Sequence, residues 1–460
     1  MKITREFVKF CAELRFSKFP QEVIDRVKYL TLDFIGVAAR GSLEDSTKVM
    51  YRFVEEISTK TKGGVIIGTK RYAPYQYSAL ANGTSAHALE LEDVNNEALL
   101  HPGCVIFPAA FAACEMVGAD SKKFIEGVVV GYEVMVRLGI ALGPSSHYAQ
   151  GFHPTATCGV FGATVAASKI LGLDEGQMLN AIGISGSQAA GSLEFLTDGA
   201  WTKRMHPGWA AHSGLISAML GKKGFKGPSS ILEGKYGFLH AYSSSSNVNK
   251  ILEGIGESYK ILRTSIKPHA CCRYNQGPID GILKIMKQEH LKADEVERLT
   301  VGVLKAGFPI VVTPEKLKYN PLSVVDAQFS MPFGAAVAIL YGRASLEEYT
   351  QEKVESPQVK EMMDKITCIE NPELDKVYPK QWPASVQIRT KDGRTFSTWI
   401  DSPKGDPENP LSWDELIEKF HELTPSIYSK GRVEKLIDQT KKIERQRNLK
   451  QWTPVLLKDR

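Results

Sequence analysis

Apolar residues recur at three- and four-residue spacing through most of the first 240 positions. After Pro20, the residues Val23, Val27, Leu30 and Phe34 share one face. Proline suits a first helical turn and Gly41 suits a helix end, so a helix is expected between them. Further apolar segments lie at 75–91, 105–118, 121–142, 155–171, 175–190 and 208–221, separated by Gly and Pro. Many are rich in Gly, Ala and Ser, and small side chains let helix backbones approach closely. CGVFGATVAASKILG therefore reads as a helix buried among others, and the whole region as a tight helical bundle.

The texture changes near residue 265. A helix is expected at 277–289, followed by ERLTVGVLK, where Leu299, Val301 and Val303 alternate as on a half-buried strand. ASVQIRTKDGRTFSTWI reads as a hairpin turning at Lys391-Asp392-Gly393. Between them, SVVDAQFSMPFGAAVAILYG reads as a helix with an internal proline, Pro332. The polar SPKGDPENP at 402–410 reads as a linker. Ser412 then opens an S-x-x-E capping box, SWDE, and helical patterning resumes to about residue 446. These shifts place domain boundaries near 266 and 403. No internal period of 20–50 residues argues for a repeat scaffold.

Composition narrows the function. The net charge of +5 is spread over 57 basic and 52 acidic residues without a long block of either sign, so no nucleic-acid partner is expected. Seven cysteines lack the dense spacing of a secreted disulfide scaffold and read as reduced thiols in a cytoplasm. MKITREFVKFCAELRF has no signal-peptide pattern. The most apolar stretch, FIEGVVVGYEVMVRLGIALG, is interrupted by Glu126, Glu133 and Arg137, so no membrane span is expected. Phosphate-loop, dinucleotide, C-x-x-C, H-E-x-x-H and G-x-S-x-G patterns are absent, and no metal or cofactor is expected. The vicinal Cys271-Cys272 pair reads as packing.

The candidate chemistry lies in histidines. Four of the ten, His101, His153, His206 and His269, touch a proline. A residue just before a first-turn proline sits near a helix N-cap, where free N–H groups attract anions and bias an imidazole toward its neutral, basic form. Each histidine alone also fits a cap or a satisfied core residue; four together suggest a site. Lys203 and Arg204 in TKRMHPG, and Lys267 and Arg273 in KPHACCRY, suit substrate carboxylates. The acids Glu90, Glu92 and Asp93 in HALELEDV precede His101 closely enough to orient it.

The order HALELEDV…HPG, GFHPT…GVFGATVAASKILGL, DGAWTKRMHPGWAAHSG, IKPHACCRYNQGPIDG and DAQFSMPF resembles the MmgE/PrpD family over essentially the whole chain. That family includes 2-methylcitrate dehydratase, cis-aconitate decarboxylase and iminodisuccinate epimerase. The resemblance implies a mainly α fold: a large all-α domain built from 1–265 and 403–460, plus a smaller α+β lid domain, 266–402. It also implies a homodimer and a metal-free active site between the domains. Carried over by motif, the site contains Glu90, Asp93, His101 and His153 as catalytic residues. Lys203 and Lys267 would bind substrate, with Arg204, His206 and Arg273 behind them. Two departures stand out. Related dehydratases and decarboxylases resemble D-F-x-D-T where this chain has Glu90, Leu91, Glu92, Asp93 and Val94. Near RYNQGPID the family often has a histidine where Gln276 stands.

The chemistry shared by such enzymes is proton removal next to a carboxylate, with cations stabilising the carbanion-like state. The expected activity is that of a metal-independent lyase dehydrating a tricarboxylic or related hydroxy acid. The alternatives are epimerisation of a dicarboxylate, then decarboxylation, then a helical binding protein without catalysis.

Overall fold

The computed structural model describes residues 2–58 and 63–459. The fold is mainly α with small sheets, as the sequence pattern implies. The chain divides into two compact units. Unit 1 comprises Met1–Ala88, Glu92–Thr264 and Ser412–Arg460; unit 2 comprises Leu89–Leu91 and Ser265–Leu411. The stretch 403–411, expected with the helical domain, thus groups with unit 2. Its residues are not a free linker: Asp406 is buried, Ile266 N–H donates to the Gly405 carbonyl, and Lys404 N–H donates to Asp280.

Unit 1 is helical. The Gln21–Gly41 helix starts where Pro20 predicts and ends at the expected glycine. Its partner from the distant chain end, Trp413–Leu423, carries the SWDE capping box on Ser412 and packs along it, with Lys419 donating to the buried Asp33 at 2.6 Å. Gly103–Val117, Ser121–Leu142, Gly159–Ile170 and Thr202–Lys222 form the inner layer, and most of their residues are buried all round. Tyr75–Ala86 crosses Thr202–Lys222 at two glycines. A Cβ on Gly208 would stand 2.2 Å from the Leu80 carbonyl, and one on Gly83 would stand 2.6 Å from the Gly208 Cα. That approach fixes the Tyr75–Ala86 helix end, where His87 is the C-cap, against the turn that carries His206.

Three helix expectations need correction. The 75–91 segment is helical only to Ala86, and the α-helix of the 175–190 segment ends at Ser185, continuing as a 3-10 turn over Gly186–Gln188. Nor is Pro332 internal to a helix: the chain breaks after the short Val324–Gln328 helix, and Ser330 caps a new one, Met331–Tyr341, with Pro332 in its first turn. A first-turn proline forfeits no helical bond, so the break relieves the expected conflict.

Unit 2 holds a four-stranded sheet of β1 (Val296–Val303), β2 (Ile366–Glu370), β3 (Ala384–Thr390) and β4 (Thr395–Ile400), in the order β2-β1-β3-β4. β1 and β2 run parallel, whereas β1–β3 and the β3–β4 hairpin are antiparallel, with Ile388 opposite Phe396. Leu299, Val301, Val386 and Ile388 are buried, as alternation predicts, and the Arg273–Gln288 helix packs on the sheet. Among the described residues, no helix is long and apolar enough to cross a membrane.

Candidate active site

Unit 1 brings four imidazoles into one cluster. His87 lies in the middle, its ring centroid 5.1 Å from that of His101 and 5.7 Å from that of His153, while His153 lies 5.2 Å from His206. His87, His153 and His206 are buried, and His101 is half-buried.

Each ring is oriented by a specific partner. His101 Nδ1 faces two acceptors, the Asp93 carbonyl oxygen at 2.8 Å and Glu92 Oε1 at 3.1 Å. A nitrogen between two acceptors carries the hydrogen, so neutral His101 has its lone pair on Nε2. His87 Nδ1 approaches the same Glu92 oxygen at 3.0 Å, so one carboxylate serves two imidazoles. Cys104 Sγ donates to the His101 carbonyl at 3.2 Å and fixes the turn from the other side. His153 is the N-cap of the short Pro154–Thr157 helix, and its Nδ1 stands 3.0 Å from Nδ1 of His206. Burial lowers both, His153 well below the ordinary imidazole value and His206 to about 4, with their neighbouring imidazoles and Lys203 adding to the effect. Both rings are therefore neutral at pH 7.

Asp93 is buried and accepts from the Tyr132 hydroxyl at 2.6 Å and from Gly103 N–H at 2.8 Å, the latter at the start of the Gly103–Val117 helix. Desolvation pushes its carboxyl up to about 7 against those two hydrogen bonds. Lys203 and Arg204 occupy the first turn of Thr202–Lys222 and are buried. Arg204 donates to Ser46 at 3.1 Å and lies 3.8 Å from Glu44.

The proline argument holds for His153 and comes close for His101, whose neighbour Pro102 is itself the N-cap of Gly103–Val117. It fails for His206. Thr202–Lys222 begins well before it, so Pro207 is the sixth helical residue and His206 is no cap. His269 follows its proline and precedes no helix start; its Nε2 lies 2.9 Å from Asp280 in unit 2.

The other candidates in unit 2 are Glu90, Lys267 and Arg273. Glu90 adopts a left-handed backbone, φ 54°. Its carbonyl accepts from Lys267 Nζ at 3.0 Å, and its carboxylate lies 3.5 Å from the same nitrogen. Arg273 donates to both oxygens of Asp406 at 2.7 Å and lies over the Trp382 ring. Gln276 does not replace a histidine's chemistry here, because its amide is spent on the His269 N–H and on the His269 and Cys271 carbonyls. Among the described residues, no group of three or more His, Cys, Asp or Glu is placed to hold a metal ion.

The model of the MmgE/PrpD N-terminal domain matches residues 5–250, and that of the C-terminal domain matches residues 269–444. The chain belongs to the MmgE/PrpD family. Three relatives show its range. The cis-aconitate decarboxylase-like protein oryM of Aspergillus oryzae is 27% identical, covering 96% of this chain and 94% of its own. Human cis-aconitate decarboxylase is 25% identical over 96% of this chain and 92% of its own. The mitochondrial 2-methylcitrate dehydratase of Yarrowia lipolytica is 22% identical over 69% of this chain and 61% of its own. Within this MmgE/PrpD chain the sequence reading passed over His87, which touches no proline. The signal available was its place at the head of HALELEDV, five residues before Glu92.

Proposed function

We propose that this MmgE/PrpD protein is a metal-independent lyase that dehydrates a tricarboxylic or related hydroxy acid, beginning with proton removal next to a carboxylate. The observation that carries the reading is His101, a half-buried imidazole whose Nδ1 is held by two acceptors, so that the neutral ring keeps its basic lone pair on Nε2. Glu92 offsets the charge that the ring gains on taking a proton. Dehydration also needs an acid for the departing hydroxyl. The His153–His206 contact meets that need, since one of the two rings keeps an Nε2 hydrogen.

Lys203 and Lys267 are the proposed cations for substrate carboxylates. Glu90 has the role of holding Lys267, and Asp93 that of positioning His101. Arg204 and Arg273, tied to Ser46 and Asp406, rank behind the lysines.

A second reading, decarboxylation of an unsaturated tricarboxylate, is favoured by the end-to-end similarity to proteins named cis-aconitate decarboxylase. Loss of carbon dioxide needs a proton donor and cations but no leaving-group acid. Incubating the protein with a panel of di- and tricarboxylates in D₂O, followed by NMR, separates the readings. Dehydration adds or removes water with deuterium entering beside a carboxylate; decarboxylation releases carbon dioxide; epimerisation inverts a centre without further mass change. Binding by calorimetry without turnover of any acid would sink the lyase reading.

We further propose a cytoplasmic homodimer. The seven free cysteines support a reducing compartment. Two exposed apolar stripes in unit 1, Val49, Phe53 and Ile57 on one helix and Trp201, Met205 and Trp209 on another, support burial against a second copy.

A further inference from the structure

Two imidazole Nδ1 atoms 3.0 Å apart form a hydrogen bond only if one carries a hydrogen and the other a lone pair. In a neutral ring, hydrogen on Nδ1 leaves the lone pair on Nε2, and the converse. His153 and His206 are therefore obliged to hold opposite tautomers. One presents an Nε2 lone pair and the other an Nε2–H.

We infer that His206 is a proton-relay partner of His153, the two rings exchanging tautomers as a proton passes across their Nδ1–Nδ1 contact. The inference rests on the proposed role of His153 in exchanging protons with a carboxylate substrate. A proton bonds to Nε2 of the first ring; that ring's Nδ1–H bond breaks as its proton crosses to the Nδ1 lone pair of the second; the second ring releases its Nε2 proton. Both rings finish neutral with tautomers reversed, set for transfer in the opposite sense. No proton is gained or lost by the pair.

The surroundings suit this task. Gly191, with φ 146°, accepts from His153 N–H at 3.0 Å and leaves the contact clear. A Cβ there would stand 2.6 Å from the Ala156 Cβ and 3.6 Å from His206 Nδ1. Phe195 sets its ring edge-on to both imidazoles, centroids 6.2 and 6.1 Å away, and limits their rotation. His206 is the more exposed of the two, at 7% against 2%, which makes it the outer member of the relay.

The first test needs no substrate. In protein labelled with ¹⁵N-histidine, NMR should show one ring of the pair as Nδ1–H and the other as Nε2–H, with scalar coupling between the two Nδ1 nuclei that vanishes in His206→Phe. Both rings in the same tautomer, without coupling, would overturn the relay whatever the protein's activity. The second test uses His206→Asn, whose amide holds His153 in one tautomer but passes no proton. Turnover and solvent-deuterium exchange should fall by about tenfold or more with KM little changed. Wild-type exchange in His206→Asn, alongside loss of activity in His153→Ala, would overturn the relay and leave the site reading standing. Wild-type activity in His153→Ala would remove both.

Discussion

Asp93 turns its backbone toward His101 and its side chain away from it. The Asp93 carbonyl lies 2.8 Å from His101 Nδ1, whereas its carboxyl accepts from Tyr132 and Gly103. In the proposed mechanism, Asp93 therefore positions His101 through its main chain, in place of the catalytic role expected for its carboxylate. Asp93→Asn keeps that carbonyl. Its turnover should fall by less than about tenfold, far from the 10⁴-fold loss seen where a side-chain carboxylate itself sets the tautomer. Steady-state kinetics on the identified substrate check this, and a loss of several orders of magnitude would return catalysis to the carboxylate.

Burial raises the carboxyls of Asp93 and Glu115 each to about 7. In the unfolded chain such groups ionise near pH 4, so between about pH 4 and 7 the folded state binds more protons. Their contribution to stability is full below that window and is lost as pH rises through 7. Asp93→Asn removes one such group, and the decline in unfolding free energy across the window should shrink by about 2–4 kcal/mol. Denaturant melts at a series of pH values measure it; equal slopes in both proteins would mean that Asp93 is ionised in the fold.

His101→Ala and His153→Ala should each cut turnover by about 10²–10⁴-fold, the usual contribution of a general acid or base. Melting temperatures should move little for His101, which is half-buried, and more for His153, which is buried. Wild-type deuterium exchange in both variants would reduce the two histidines to structural residues.

Much of the fold was legible because local signals and packing agreed. The helix after Pro20 carries its own stripe and end signals, and the β3–β4 hairpin carries its turn. His206 shows where local signals mislead. A proline at the sixth helical position forgoes the bond to the Lys203 carbonyl, a local cost that sequence reading avoids by starting the helix later. Close packing of Gly208 against the Tyr75–Ala86 helix holds the earlier turn in place. Arg273 shows a different limit. Its partner Asp406 lies 133 residues away, inside a stretch that composition alone marks as a linker.

Arg273 is held by both Asp406 oxygens at 2.7 Å, a closer grip than the 3.5 Å approach of the Glu90 carboxylate to Lys267. Lys203→Ala and Lys267→Ala should weaken kcat/KM by roughly 2–5 kcal/mol through lost carboxylate pairing. Arg273→Ala should instead destabilise the protein by about 3–5 kcal/mol, because it removes the cation paired with a buried Asp406. Thermal melts and kinetics on the three variants decide the matter. A raised KM with unchanged stability in Arg273→Ala would restore it to the substrate site.

Glu92 is the residue on which the proposed base, His101, depends most narrowly. Its Oε1 serves His87 at 3.0 Å and His101 at 3.1 Å, in a site where the carboxylate is nearly shielded from water. A negative charge there matters little while His101 is neutral and matters most when the ring has taken a proton, so its effect falls on the transition state rather than on binding. Glu92→Gln keeps an oxygen acceptor and leaves the Asp93 carbonyl to hold the tautomer. The expected outcome is a fall in kcat of about 10²-fold, near the loss for one electrostatic stabiliser, with KM unchanged within about twofold. His87→Ala, which removes one of the two imidazoles at that oxygen, should cost less than Glu92→Gln. Equal kcat and KM changes in Glu92→Gln, or no change at all, would show that the carboxylate only packs the cluster.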